Sequence, residues 1–280
     1  MSRKPEKRAL LVGINAYSDG ALNGCVNDVI RINQVITNHF GFTDSKNKRM
    51  LTDKSATTKN ILDRLTWLVA DAQPGDVLYF HYSGHGSQMV DTDYDLSIEP
   101  DGMDEIICPV DLNWRDLVVK DDDFARIFST VPEGVNLTLA LECCHSGGGL
   151  REFGHTPNKT RHLPTPADIM NRAFDKNLAP KARGIYIDRN IHTIEDQKGA
   201  LISGCRSDQT SADAWIQKAR KYMGAFTHYF TEVLESNSWD MSYEDLIIET
   251  NKVLERSGYD QRPELNSTTD FKNKKFLQPL

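Results

Sequence analysis

Leu137-Thr138-Leu139-Ala140-Leu141-Glu142-Cys143-Cys144-His145-Ser146-Gly147-Gly148-Gly149 is an apolar run of strand character that stops at a glutamate, two thiols, a histidine and three glycines. A strand that only fills a core has no use for such an ending. A strand that carries a nucleophile to the lip of a sheet does. A second run upstream, Val77-Leu78-Tyr79-Phe80-His81-Tyr82-Ser83-Gly84-His85-Gly86, ends in the same way. In an open parallel sheet, ligand chemistry gathers beyond the carboxyl ends of the strands. Two such endings therefore predict a Cys/His site at one edge of one sheet.

Outward from these runs the chain alternates. Residues 8–14 are short and apolar and close on the turn-like Asn15–Gly20, which reads as a buried strand. Val29, Ile30, Ile32, Val35 and Ile36 recur at helical spacing. Met50-Leu51-Thr52 reads as a strand. Thr57 is placed to cap a helix bearing Ile61, Leu62, Leu65, Leu68 and Val69. Strand, helix, strand, helix, strand predicts an α/β fold with a mostly parallel central sheet covered by helices on both faces. Ile106, Ile107 and Val110 suggest a further short strand, and Asp121-Asp122-Asp123 the acidic start of a short helix. A strand resumes at Ala200–Gly204, followed by a polar loop, Ser207–Asp213, and two helices, Gly224–Leu234 and Tyr243–Leu254.

The 280 residues are read as a single domain, 1–280, in three parts. A large part, 1–149, carries the histidine and the cysteine. A small part, 199–280, completes the sheet. Residues 150–198 are polar, hold four prolines, and carry Arg151, Lys159, Arg161, Arg172, Lys176, Lys181, Arg183 and Arg189. This composition predicts an exposed insertion or linker.

With 39% hydrophobic and 26% charged residues the chain can bury a substantial core. A net charge of −7 argues against a nucleic-acid partner. No apolar run is long enough to span a bilayer, and the charged start lacks the apolar core of a secretion signal. A cytoplasmic location without membrane attachment is the expectation. The five cysteines, Cys25, Cys108, Cys143, Cys144 and Cys205, are odd in number and scattered, which suits reduced thiols. Cys25, Cys108 and Cys205 read as small core residues.

A cysteine nucleophile needs thiolate character, and His85 is the natural base for Cys144. Glycine on both sides of His85 lets the backbone turn sharply. The N–H of Gly86 is a candidate donor to an oxyanion, as are those after Cys144. Cys143 alternates with Cys144 and should point into packing. His81, within its strand, reads as structural, and His145 is not the base.

Tyr82-Ser83-Gly84-His85-Gly86-Ser87-Gln88 and Cys144-His145-Ser146-Gly147 resemble the His and Cys motifs of the metacaspases, including the bacterial orthocaspases. Leu10–Asn15, Leu22–Asp28, Asp101–Glu105 and Ser207–Asp213 also match that family, in the same order. The resemblance implies a caspase-like three-layer sandwich. It implies a cysteine endopeptidase that cuts protein or peptide substrates after Arg or Lys, acts as a monomer, and is stimulated by calcium. The family's specificity pocket maps onto Asp28, Ser83 and Glu142. Its calcium carboxylates map onto Asp104, Asp121 and Asp122. Two carboxylates in a narrow pocket favour a guanidinium or ammonium. Three positions depart from the family pattern. Glu142 stands where Asp is usual, and Cys143 where Ser or Ala is common. A further calcium ligand is expected near Arg151, where only Glu152 could serve. An enzyme of this preference could cut its own basic 150–198 segment. The alternatives are a catalytically silent binding module, a caspase-like peptidase of different specificity, and a thiol sensor built on Cys143 and Cys144.

Overall fold

The computed structural model of the chain describes residues 3–90, 103–145, 158–169 and 199–280. Strand β1 (Lys7–Gly13), helix α1 (Cys25–His39), strand β2 (Lys48–Thr52), helix α2 (Thr58–Val69) and strand β3 (Val77–Ser83) follow the expected alternation. Three short strands come next, β4 (Gly86–Val90), β5 (Met103–Ile107) and β6 (Val119–Lys120), then helix α3 (Asp121–Phe128) and strand β7 (Asn136–Glu142). The remainder holds β8 (Lys159–Thr160), β9 (Ala200–Ser203), β10 (Ala212–Ile216), β11 (Lys221–Gly224), α4 (Ala225–Ser236), α5 (Tyr243–Arg256), β12 (Glu264–Ser267) and α6 (Thr269–Lys272).

The central sheet has the order β12-β9-β7-β3-β1-β2. Every pairing in it is parallel except β12 with β9. Parallel neighbours need long crossovers, which α1 and α2 supply. Alternation along the strands sorts the core into two layers. Leu10, Val12, Leu78, Phe80, Leu137 and Leu139 pack with α2 and α3. Ala9, Leu11, Val77, Tyr79 and Ala140 pack with α1, α4 and α5. Each fully buried Leu or Phe contributes roughly 1.5–3 kcal/mol against exposure. Thr57 caps α2 as expected, its hydroxyl accepting from the Asn60 amide at 3.3 Å.

Two small antiparallel sheets, β4-β5-β6 and β11-β10-β8, flank the carboxyl edge of the main one. Here the structure departs from the sequence reading. Strand β5 ends at Ile107, because Val110 has turned away to donate its amide to the Ala56 carbonyl. The polar loop expected over Ser207–Asp213 gives way at Ala212 to β10, whose Ala212, Ala214 and Ile216 bury a core of their own. Among the described residues no helix is long and apolar enough to cross a membrane.

Candidate active site

The β3–β7 register places the site. The last in-register pair is Ser83 with Glu142, so His85 and Cys144 each lie two residues beyond it. Gly86 packs so closely on the Cys144 backbone that a Cβ there would collide with the Cys144 carbonyl. Glycine is the residue that lets these two strand ends meet.

His85 is held on every side. The Gly20 carbonyl lies 2.6 Å from its Nε2, and its amide donates to the Tyr17 hydroxyl at 2.9 Å. The Tyr82 hydroxyl donates to the His85 carbonyl at 2.7 Å. A carbonyl only accepts, so Nε2 carries the proton and Nδ1 keeps its lone pair. That Nδ1 is buried and has no hydrogen-bond partner among the described residues. Burial pushes the imidazole down to about 4, against the Gly20 and Arg161 carbonyls, which pull it up. The ring is a neutral base at pH 7. Cys144 is fully buried, and the Ser211 amide points at its Sγ.

The other candidates divide. His81 is pushed down to about 3 by burial and meets the Tyr79 hydroxyl, as a structural histidine should. His145 faces the Ser87 carbonyl and Cys143 Sγ, away from the role of base. Cys143 packs in the α2–α3 layer together with Cys25 and Cys108. All five cysteines are free and buried.

The residues expected to line a pocket surround a side chain of the protein's own. Arg161, in the stretch expected to be exposed, is fully buried. Its Nη2 donates to Asp28 Oδ2 at 2.8 Å and Asp213 Oδ1 at 3.2 Å. Its Nη1 donates to Ser83 Oγ at 2.5 Å, and Ser83 in turn donates to Asp28 Oδ2 at 2.7 Å. Burial raises the Asp28 pKa, and the guanidinium opposes it. Asp213 was not singled out as a site residue in the sequence. The alternation Ala212-Asp213-Ala214-Trp215-Ile216, two alanines and an isoleucine framing a carboxylate, is the signal that could have found it. Asn23 and Gly24 fix it by donating their amides, each at 2.8 Å.

Glu142 serves differently. Its carboxylate accepts from the Phe226 amide at 3.1 Å and the Thr227 amide at 2.6 Å, at the N-terminus of α4. That helix has no side-chain cap of its own, and Glu142 provides one from β7. A side chain at Gly224 would collide with this carboxylate. Towards Arg161 it offers only its main-chain carbonyl at 3.4 Å and its charge. Burial lifts the carboxyl to about 7, Arg161 lowers it and Asp28 raises it.

The Arg161 backbone completes the picture. Its carbonyl oxygen accepts from the Gly86 amide at 3.0 Å and the Cys144 amide at 3.1 Å. Its amide donates to the Ser211 carbonyl at 3.1 Å. Upstream, Lys159 and Thr160 pair antiparallel with β10 as an added strand. The 161–162 peptide bond therefore lies extended across the two strand ends.

The acidic candidates are partly gathered. Asp104, on β5, is fully buried and pairs with Lys120. Burial and the nearby charges of Asp104 and Asp122 raise Asp121 to about 7. This concentration of negative charge fits a hard divalent cation. Among the described residues, no three His, Cys, Asp or Glu side chains form a ready-made metal cage. Asp101, Gly102, Gly147–Gly149, Arg151 and Glu152 lie outside the described residues.

A family model described as "Metacaspase, peptidase C14 domain" matches residues 7–152, a span that holds both strand ends. The chain belongs to the metacaspase family. It is 31% identical to Metacaspase-1 of Schizosaccharomyces pombe, an alignment covering 93% of this chain and 67% of that one. It is 34% identical to Metacaspase-2 of Trypanosoma brucei brucei, covering 93% and 73%. Membership makes this metacaspase a cysteine-type endopeptidase acting on protein substrates. A crystal structure of a Geobacter sulfurreducens protein, 24% identical, superposes with a TM-score of 0.68 over 99% of this chain and all of that one. That likeness shows a shared fold, and the family match with the parallel sheet between helical layers makes it caspase-like.

Proposed function

We propose that this metacaspase cuts after arginine and lysine through a Cys144–His85 dyad, and that its first substrate is its own Arg161–His162 bond. The observation that carries this is Arg161. Its guanidinium sits among Asp28, Ser83 and Asp213 while its carbonyl sits between the Gly86 and Cys144 amides. A substrate arginine needs that combination.

His85 Nδ1 takes the Cys144 thiol proton, and Sγ attacks the carbonyl carbon. The Gly86 and Cys144 N–H groups hold the oxyanion as it develops. The intermediate collapses with loss of the amine, which takes its proton from His85 Nδ1. Water, deprotonated by His85, then releases the acyl group and frees the thiol. Asp28 and Asp213 hold the guanidinium directly and Glu142 adds negative potential, so an acidic residue before the cut is rejected. This argues against an Asp-directed peptidase. A buried His85 Nδ1 that has no hydrogen-bond partner among the described residues argues against a silent binding module.

Calcium belongs to the same proposal: Asp104, Asp121 and Asp122 would hold it, and its charge would relieve their mutual repulsion. A peptide panel varied at the residue before the cut tests both claims. Arg and Lys peptides should be hydrolysed and Asp peptides not, with rates that fall on chelation and return with added calcium. Hydrolysis of Asp peptides in preference would overturn the pocket assignment. Rates indifferent to chelation would overturn the calcium assignment.

A further inference from the structure

The residues after Arg161 lie in a groove of their own. The Leu163 amide donates to the Gly86 carbonyl at 3.0 Å, and the Leu163 carbonyl accepts from Ser87 Oγ at 2.6 Å. Thr165 Oγ1 donates to the Gln88 carbonyl at 2.5 Å. The edge of β4 thus holds the chain beyond the cut by one parallel bridge, Gly86 with His162, and by the two hydroxyl bonds, contacts open to an extended peptide. The Leu163 side chain packs on the α2–α3 core layer, next to Gly20. Beside it lies a cavity of about 100 Å³ with an apolar side formed by Pro109, Val110, Leu112 and Trp114 and a polar side formed by Tyr17, Ser18 and Asp19.

The geometry points to a second specificity subsite: the β4 edge and the wall of Val110, Leu112 and Trp114 select substrates with an apolar side chain two residues after the cut. This rests on the reading of Arg161–His162 as the bond presented for cleavage. Two features favour an apolar occupant. The groove supplies its hydrogen bonds at the backbone and at Ser87, and the side chain of Leu163 packs on the apolar layer. The space beside Leu163 leaves room for a longer chain such as Met or Phe. An acidic side chain there would lose its hydration and face Asp19 without gaining a partner. Once the bond is cut, the chain's own segment from His162 is a product, and an incoming substrate takes its place.

The test uses the full-length protein and quenched peptides Lys-Thr-Arg-His-X-Pro-Thr with X as Leu, Met, Ala or Asp. A matched set has Ala in place of Arg. Leu and Met should exceed Ala by about tenfold in kcat/KM, the worth of one partly buried apolar side chain. Asp should be slower still. Trp114→Ala should flatten the ranking without removing the requirement for Arg. Self-cleavage gives a second reading: Leu163→Asp should slow the cut and Leu163→Met should not. Equal rates for all X while Arg stays essential would overturn the subsite and leave the arginine pocket standing. The same ranking of X in the Arg-less set would uphold the subsite and overturn the pocket. Leu163→Asp self-cleaving at the unchanged rate would also overturn the subsite.

Discussion

Asp28→Asn is expected to lower kcat/KM for arginine peptides by on the order of a thousandfold. The guanidinium is fully buried in the occupied pocket, and Asp28 accepts from it at 2.8 Å. Removing one partner of a buried ion pair costs roughly 3–5 kcal/mol, because the remaining charge is left uncompensated. The substitution is nearly isosteric, and the Asn oxygen still accepts from the Gly224 amide that Asp28 engages at 2.9 Å. Part of the loss is offset. Asp28 is one of the charges holding the Glu142 carboxyl up at about 7, and its neutralisation lets Glu142 ionise more readily. Steady-state kinetics with arginine and lysine peptides, on protein of unchanged circular dichroism, is the check. A change under tenfold would mean that Asp28 does not hold the substrate cation.

Arg161→Gln should have two effects of opposite sense. Self-cleavage should stop, because the pocket no longer receives a cation. The variant should also lose roughly 3–5 kcal/mol of stability, since Asp28, Asp213 and Glu142 are left buried without their counter-charge. A small guanidine or amidine, added to the variant, should restore much of the lost melting temperature by refilling the pocket. The vacated cleft should hydrolyse arginine peptides without the lag that an occupied cleft imposes. Thermal melts with and without such a cation, beside progress curves for peptide hydrolysis, separate these effects. A variant as stable as the parent would show that Arg161 is not the pocket's counter-ion.

How far the sequence foretold this depended on whether a residue's role was local. The meeting of His85 and Cys144 at two neighbouring strand ends was legible because strand ends rich in glycine are a local pattern. The alternating helices and strands were legible for the same reason, down to the Thr57 cap. Arg161 was not. It is one of nine Lys and Arg residues in 150–198, and nothing in its neighbours distinguishes it. Its burial comes from a two-residue strand docked on β10 and from carboxylates 133 and 52 residues away. Glu142 was legible as an anomaly but not in its contacts. Its partners are the free amides of a helix that begins 83 residues later. The clue was that α4 starts at Gly224-Ala225, with no Ser, Thr, Asp or Asn to cap it.

The central claim is that this metacaspase holds Arg161 as a substrate arginine in front of Cys144. Mapping the fragments of the purified chain tests it most directly, by intact mass and N-terminal sequencing, beside a Cys144→Ala control. One first cut is expected, with a new N-terminus at His162, absent from the control. A first cut at another bond, or the same cut in Cys144→Ala, would contradict it.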